Sequence, residues 1–404
     1  MRFTIRAGEL ASVLSSLSGL AKSQTMPILG CVKISAEEAY LQIEATDLAT
    51  RSTCRWPATP TRVGAACVNA HRLLGLMRGL PSSLEVELSG DGEHVFINAP
   101  RRRYRLAALP EIDFPQRPDT THDTLFQFPA GALHRGLSAV IRVVDDTAPM
   151  GNMATGASIT ISKGCVESIA AESGRATYVR EFSDDIHAAR PITTYVNRHT
   201  GKELLRLLGE VESDSTVFYA HGYQHDIFKA GDRELIVQRI QISFPEEAVR
   251  SHLKERPDET RVTVSREGLK GMISRVAVAM ETEFKSDRFH IQCKGRDLVA
   301  TVSRDRNAQG SNDTRKVAGR TANGTEHATQ GSLPPKEYEI VAEECLEGSG
   351  CADIEPMTFQ LRYFTDLVDR GEGESAELYF GNSDQPVRLQ LGAGLTAILA
   401  PMRT

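Results

Sequence analysis

The sequence predicts an α+β protein made of three repeated domains, each with two helices and antiparallel sheets. Three observations predict it. A chain of 404 residues exceeds what one core of ordinary size organises, since single domains cluster at about 100–150 residues. One strand-helix pattern occurs three times along it. Between the helices run alternating apolar and polar stretches broken by turn residues.

The repeat aligns without a gap: RFTIRAGELASVLSSLSGLA from Arg2, LFQFPAGALHRGLSAVIRVV from Leu125 and RVTVSREGLKGMISRVAVAM from Arg261. Each copy opens with a short alternating strand (Phe3 and Ile5, Phe126 and Phe128, Val262 and Val264). A helix follows, with apolar residues spaced i, i+3, i+4, i+7. These are Leu10, Val13, Leu14 and Leu17; Leu133, Gly136, Leu137 and Val140; and Leu269, Met272, Ile273 and Val276. A second shared element lies further along each unit: VNAHRLLGLMRGL from Val68, VNRHTGKELLRLLGE from Val196 and FQLRYFTDLVDRG from Phe359. Each reads as a strand end entering a helix, with Leu76/Met77, Leu204/Leu205 and Leu367/Val368 in register. Runs such as SSLEVELSGDGEHVFINAP and AELYFGNSDQPVRLQL read as hairpins. The repeat starts place the domains at 1–120, 121–258 and 259–404. The polar stretch 306–336, without hydrophobic period, reads as a surface insertion in the third.

Composition narrows the function. No apolar stretch approaches the ~20 residues of a membrane span. The N-terminus lacks a basic region followed by an apolar one, so a cytoplasmic protein without a membrane partner is expected. Seven cysteines, never spaced C-x-x-C, read as reduced, mostly buried small residues rather than a disulfide framework or zinc ribbon. A net charge of −6 gives no basic surplus for phosphate neutralisation, so charge distribution has to decide nucleic-acid binding.

Catalytic motifs are wanting: there is no G-x-S-x-G, H-E-x-x-H or phosphate loop. His221 and His225 have a metal-ligand spacing, but Gly222 stands where a metalloprotease has its glutamate and a hairpin turn is predicted between them, so they read as turn histidines. Asp145–Asp146 and Glu246–Glu247 are adjacent carboxylates that point apart on any regular element. No catalytic residue, metal or cofactor is expected.

The repeats, together with MPILG (Met26–Gly30), ATDL (Ala45–Leu48), RGLP (Arg78–Pro81), LPEIDFP (Leu109–Pro115), SFP (Ser243–Pro245) and PMR (Pro401–Arg403), closely resemble the beta subunit of bacterial DNA polymerase III, as a divergent member. The resemblance is strongest in the first domain and at the end of the chain. It implies a head-to-tail homodimer closing into a ring of six domains, helices lining the hole. Such a clamp encircles duplex DNA without reading sequence, confers processivity on a replicative polymerase and tethers partner peptides. Its partners are the polymerase III catalytic subunit, the clamp loader and other proteins carrying clamp-binding peptides. Topological linkage needs only weak, sequence-blind contacts from Lys and Arg.

Arg198, Lys202 and Arg206 fall at i, i+4 and i+8 on one helix, opposite Leu204, Leu205 and Leu208. By periodicity alone such a stripe is an ordinary solvated face; the resemblance makes it the best DNA-facing candidate. Arg135 and Arg142, one face apart (i, i+7), and Lys22, Arg78 and Arg275, in or just after corresponding helices, complete that set. The family's partner-peptide cleft maps onto Ala154, Ala171, Gly174, Arg175, Ala176, Pro245, Val249 and the tail Ile398, Leu399, Ala400, Pro401, Met402 and Arg403. Here the chain departs from the pattern. The motif usually A-T-D-G-H-R-L reads Ala170 to Ala176 with only the first alanine and the arginine retained, and Gly151–Gly156 lacks both usual tyrosines and a leucine. Each lost large apolar contact removes about 1.5–3 kcal/mol. Glu246 and Glu247 add negative charge at the cleft mouth, so an altered peptide preference is expected. At the ring interface, Arg72, Leu76, Arg101, Arg103, Tyr104 and Leu106 would meet Val278, Ala279 and an acidic strand bearing Glu337, Glu339, Glu343 and Glu344. From the residues alone, the same charges equally suit an edge strand guarded against aggregation. The departures leave an alternative open: a diverged clamp paralogue serving as an accessory or regulatory interaction protein without a replicative role.

Overall fold

In the computed structural model, the described residues are 1–22, 25–120, 122–145, 147, 155–172, 174–244, 246–280, 288–305, 338–369, 371–392 and 394–402. The expected insertion at 306–336 therefore lies outside them, as do Ala154, Pro245, Glu337 and Arg403. Contacts divide the chain into two units, Met1–Ala170 with Val179–Phe244, and Ala171–Tyr178 with Pro245–Thr404.

The first unit holds helices α1 (Ala7–Leu17), α2 (Ala70–Arg78), α3 (Ala130–Val140) and α4 (Arg198–Leu208). Leu10, Leu14 and Leu17 of α1 are fully buried, as are Leu133, Leu137 and Val140 of α3, so the 3.6-residue period identifies the packing face. On α2 and α4 the buried stripes are Leu73, Leu74, Met77 and Leu204, Leu207, Leu208; Leu76 and Leu205 sit at their margins, half-buried. The Val-Asn step shared by the repeats starts both helices alike. Asn69 accepts a hydrogen bond from Arg72 N (3.0 Å) and Asn197 from Thr200 N (2.8 Å), each satisfying a first-turn donor.

The helices that open the first two repeats have no side-chain cap. Their first-turn amides instead reach the loop after the partner helix: Ala7 N to Leu84 O and Gly8 N to Ser82 O, and Ala130 N to Ser215 O and Gly131 N to Ser213 O. A side chain at Gly8 would meet Ser82 Cβ at 2.9 Å, and one at Gly131 would meet Ser213 Oγ at 1.9 Å. The Ala-Gly pair common to the first two repeats is thus required by close approach of a neighbouring backbone. In the third repeat Arg266 N bonds Glu374 O, the corresponding contact without the glycine.

One antiparallel sheet of twelve strands runs through this unit from Arg2–Arg6 at one edge to His122–Pro129 at the other. It is continuous across the expected 120/121 boundary because Thr50–Pro57 pairs with Arg233–Gln238, Arg233 opposite Cys54 and Val237 opposite Thr50. Strand alternation sends Phe3, Ile5, Val86, Leu88, Val95 and Ile97 to the core beneath α1 and α2. The opposite face is largely polar and, among the described residues, carries the small apolar clusters Cys31/Cys67/Phe114 and Ala220/Ile227/Ile236.

A polar junction joins the first two repeats. The turn at Asp47 is set by Thr50 N donating to Asp47 Oδ1 (2.7 Å), and Asp47 Oδ2 lies 2.7 Å from His199 Nε2. That hydrogen bond raises the pKa of His199 above the usual imidazole value, against its partial burial. Nearby, burial raises the carboxyl of Glu203, opposed by Arg206. A histidine with a raised folded-state pKa stabilises fully below its unfolded pKa and loses that contribution as pH rises through the folded value. Because His199 is half-exposed, the expected effect is about 0–1 kcal/mol. Urea denaturation of His199→Gln between pH 5.5 and 8.5 should show a flatter pH profile than the parent; an unchanged profile would remove His199 from this account.

The second unit carries α5 (Glu246–Leu253), α6 (Arg266–Ala279) and α7 (Leu361–Val368). Ser265 caps α6 by accepting from Gly268 N (3.2 Å), and Leu269, Met272, Ile273 and Val276 are buried as the period predicts. Strands Leu395–Leu399, Val387–Gln390, Ser375–Phe380 and Thr260–Ser265 lie in that order. A four-stranded sheet has Tyr338–Glu347 at one edge, then Asp297–Asp305, Arg288–Lys294 and Ile354–Phe359. Of the cysteines, Cys31, Cys54, Cys67, Cys165 and Cys293 are buried, while Cys351 is half-buried and Cys345 exposed. Among the described residues no helix is long and apolar enough to cross a membrane.

Candidate nucleic-acid, self-association and partner surfaces

Each repeat contributes a packed helix pair: α1 on α2, α3 on α4, and α6 on α7. Lys22, Arg78, Arg135, Arg142, Lys202 and Arg275 are exposed, and Arg198 and Arg206 half-buried, but they are not equally available. Arg135 is held bidentately by Glu181 (3.0 and 2.7 Å) and Arg275 by Glu344 (2.7 and 2.8 Å). Arg206 bonds both oxygens of buried Glu203 and donates to Ser16 O (3.1 Å) at the end of α1. A side chain at Gly19 would meet Arg206 and Glu203 at 2.2 Å, so this glycine makes room for the pair. The expected cation stripe on α4 is therefore broken at Arg206, because a buried carboxylate and a helix C-terminus draw its guanidinium inward. Arg78 donates to Ser15 Oγ (2.8 Å) and Arg198 to Arg142 O (3.1 Å).

The strand Arg102–Leu109 pairs along its length with His94–Ala99, but on its other side only through Ala108 and Leu109. Its preceding turn residue, Arg101, has a left-handed φ of 60°. Tyr104 and Leu106 lie on the helix side, packed against the core beside Leu76. Alternation puts Arg103 and Arg105 on the opposite face of the same strand. Arg72 is exposed on α2.

In the second unit, Tyr338–Glu347 pairs on one side only among the described residues. Ile340 and, at the end of α6, Val278 are strongly exposed, 63% and 86%, with Ala279 half-buried beside the latter. Glu344, expected at an interface, is the carboxylate that holds Arg275, expected at DNA. One intrachain ion pair thus engages both, and lowers the Glu344 carboxyl below its usual range. Glu343 lies 3.7 Å from Lys294.

The residues expected in a partner cleft assemble within the second unit. Ala400 N donates to Gly174 O (3.0 Å) and Met402 N to Thr358 O (2.8 Å), fixing the tail in extended form. Helix α5 packs on Leu395–Leu399, with Val249 buried. Ile398, Leu399, Ala171 and Ala176 are buried; among the expected tail residues, Ala400 and Pro401 are half-buried and Met402 is exposed.

Three residues not anticipated from sequence dominate this place. Tyr363 lies with Arg175 over its ring at 4.4 Å and Arg362 at 4.8 Å, and Cε2 stands 2.9 Å from where a Gly174 side chain would begin. Arg175, itself buried, bonds Glu172 and Asp366 at 2.8 Å each. The family's motif offered Arg175, but its partners on α7 lie 188 and 191 positions away, beyond local pattern. The His221/His225 pair takes another role: His221 Nδ1 bonds Tyr219 OH (2.8 Å) and lies 2.9 Å from Asp226.

This arrangement, helix pairs on antiparallel sheets repeated along the chain, is the fold of sliding clamps. Solved structures match it over the whole of both chains: the DNA polymerase III subunit beta of Pseudomonas aeruginosa at TM-score 0.81 and 20% identity, and the DNA polymerase sliding clamp of Caulobacter crescentus at 0.80 and 21%. In sequence the chain is similar to the bacterial DNA polymerase III beta subunit, and residues 1–118 match the model described as DNA polymerase III beta subunit, N-terminal domain. The Escherichia coli (strain K12) beta sliding clamp is 30% identical over 141 residues, 34% of this chain and 38% of that protein. That of Vibrio cholerae is 34% identical over 121 residues, 30% of this chain and 33% of that protein. The chain thus matches little more than a third of the length of these curated relatives.

Proposed function

We propose that this protein is a DNA sliding clamp. It has three domains, bounded near 1–120, 121–258 and 259–404, and associates head to tail as a homodimer around duplex DNA. It confers processivity on the catalytic subunit of a replicative DNA polymerase, is opened by a clamp loader, and performs no reaction itself. Full-length likeness in fold to sliding clamps carries this reading. Two edge strands of opposite charge support it: Arg102–Leu109, flanked by Arg101 and carrying Tyr104 and Leu106, and Tyr338–Glu347 beside Val278. Antiparallel docking of such edges satisfies their free backbone groups, and charge complementarity leaves the contact openable.

In this reading Lys22, Arg78, Arg142, Arg198 and Lys202 face DNA, whereas Arg135, Arg206 and Arg275 shape the helices through their glutamates. Contacts of this number give weak, salt-sensitive binding compatible with sliding. Partner peptides dock at Gly174–Ala176, Tyr363 and the tail Ala400–Met402. The test is retention on nicked circular DNA after loading. A dimer that stays on circles and runs off after linearisation is expected; equal binding to both forms, or a monomer, overturns the ring.

A further inference from the structure

The polar face of the twelve-stranded sheet carries a feature that neither a DNA channel nor the partner cleft explains. Residues Pro110–Arg117, which link the first two repeats, cross this face as a strap. Phe114 is buried between Cys31 and Cys67. Buried Arg51 bonds Glu44 and Pro115 O and lies 5.4 Å from the Phe114 ring, and Arg117 pairs with Glu234 (2.9 Å).

Beside the strap are two adjoining cavities of 350 and 150 Å³ that share Thr53, Arg55 and Arg117. Six cations and four acids line them in a chain of net charge −6, so this is a local reversal of the overall sign. Arg51 is committed to buried Glu44, and Arg233 to Glu210 and buried Ser52. Lys33 and Lys229 have no ion-pair partner among the described residues, and Arg55 lies 4.6 Å over the Tyr40 ring, bonded to Gln42. At the lip stands Ile112, 83% exposed, an apolar side chain that nothing among the described residues covers.

We propose that this groove is a second docking surface, taking an acidic peptide segment of a protein partner with an apolar residue among its carboxylates. Lys33, Arg55 and Lys229 bind the carboxylates, and Ile112 covers the apolar side chain. The interspersed Glu111, Asp232 and Glu234 suit discrete carboxylates and repel the unbroken charge of a nucleic-acid backbone. The surface lies on the sheet face opposite α1 to α4, so its occupancy is independent of anything bound on the helix side.

The probe is a fluorescein-labelled twelve-residue peptide of Asp and Glu with one central Leu, titrated with the full-length protein by anisotropy at low and physiological salt. A peptide with Lys for the acids serves as control. Lys33→Glu/Lys229→Glu is expected to weaken binding on the order of tenfold or more, and Ile112→Ser about threefold to tenfold. Met402→Ala, in the tail, should leave it unchanged. Circular dichroism of both variants should match the parent, since Lys229 and Ile112 are exposed and Lys33 is half-buried. Absence of binding, affinity unmoved by either groove variant, or equal competition by a twelve-nucleotide single strand overturns the proposal; the last would make this a nucleic-acid surface.

Discussion

Tyr104→Asp/Leu106→Asp is expected to yield a folded monomer that no longer stays on circular DNA. Both side chains stand on the helix side of an edge strand whose far backbone is unpaired over most of its length. Full burial of such a side chain stabilises by about 1.5–3 kcal/mol. Each is already half-buried in its own chain, so association adds only part of that. A head-to-tail dimer contains the contact twice, and the substitutions also bring carboxylates toward an acidic strand. The dimer should therefore weaken at least roughly a hundredfold. Sedimentation velocity across protein concentration measures this, with circular dichroism to confirm folding. An unchanged dimer would place the self-association surface elsewhere, whatever the protein does on DNA.

The second large effect concerns stability. The side chains of Glu259 and Arg388 are 2% and 5% exposed and joined at 2.8 Å, with Arg388 stacked 3.7 Å above Tyr379. Burial alone would raise the Glu259 carboxyl, but hydrogen bonds from Arg388 and Arg256 outweigh it and hold the group below the usual carboxylate range. Arg388→Leu leaves this carboxylate buried with Arg256 as its remaining partner, an expected loss of about 3–5 kcal/mol, read from the urea midpoint at pH 7. A depressed pKa contributes stability that is present above the unfolded value and lost as pH falls through the folded one. The parent should accordingly weaken on its acid limb below about pH 4.5, and Glu259→Gln/Arg388→Leu should show less of that weakening. A single substitution costing under about 1 kcal/mol would mean that water reaches the pair.

The triple repeat and the buried faces of α1, α3 and α6 were legible because both are local: a 3.6-residue period in sequence is a stripe in space. The shared Val-Asn start of α2 and α4 was visible as a repeated phrase, and its meaning as a cap needed only the neighbouring amide. The Ala-Gly pairs were visible too, but their reason is a backbone carbonyl about 75 to 85 residues away, Ser82 for Gly8 and Ser213 for Gly131.

Charge pairing is where sequence ran out. Spacing put Arg206 in one stripe with Arg198 and Lys202, and the family resemblance assigned Arg275 and Glu344 to different surfaces. A guanidinium goes to whichever carboxylate the fold brings within reach, and those carboxylates lie on other strands or helices. The same applies in the cleft, where the motif named Arg175 but only packing brought Tyr363, Arg362 and Asp366 to it. By itself, then, the sequence determined which residues are buried and how many times the unit repeats, since periodicity is a property of neighbours along the chain. Tertiary structure alone decided which cations remain available, which strand edges stay unpaired and where the strap leaves a cationic groove, because each depends on contacts between residues far apart in sequence.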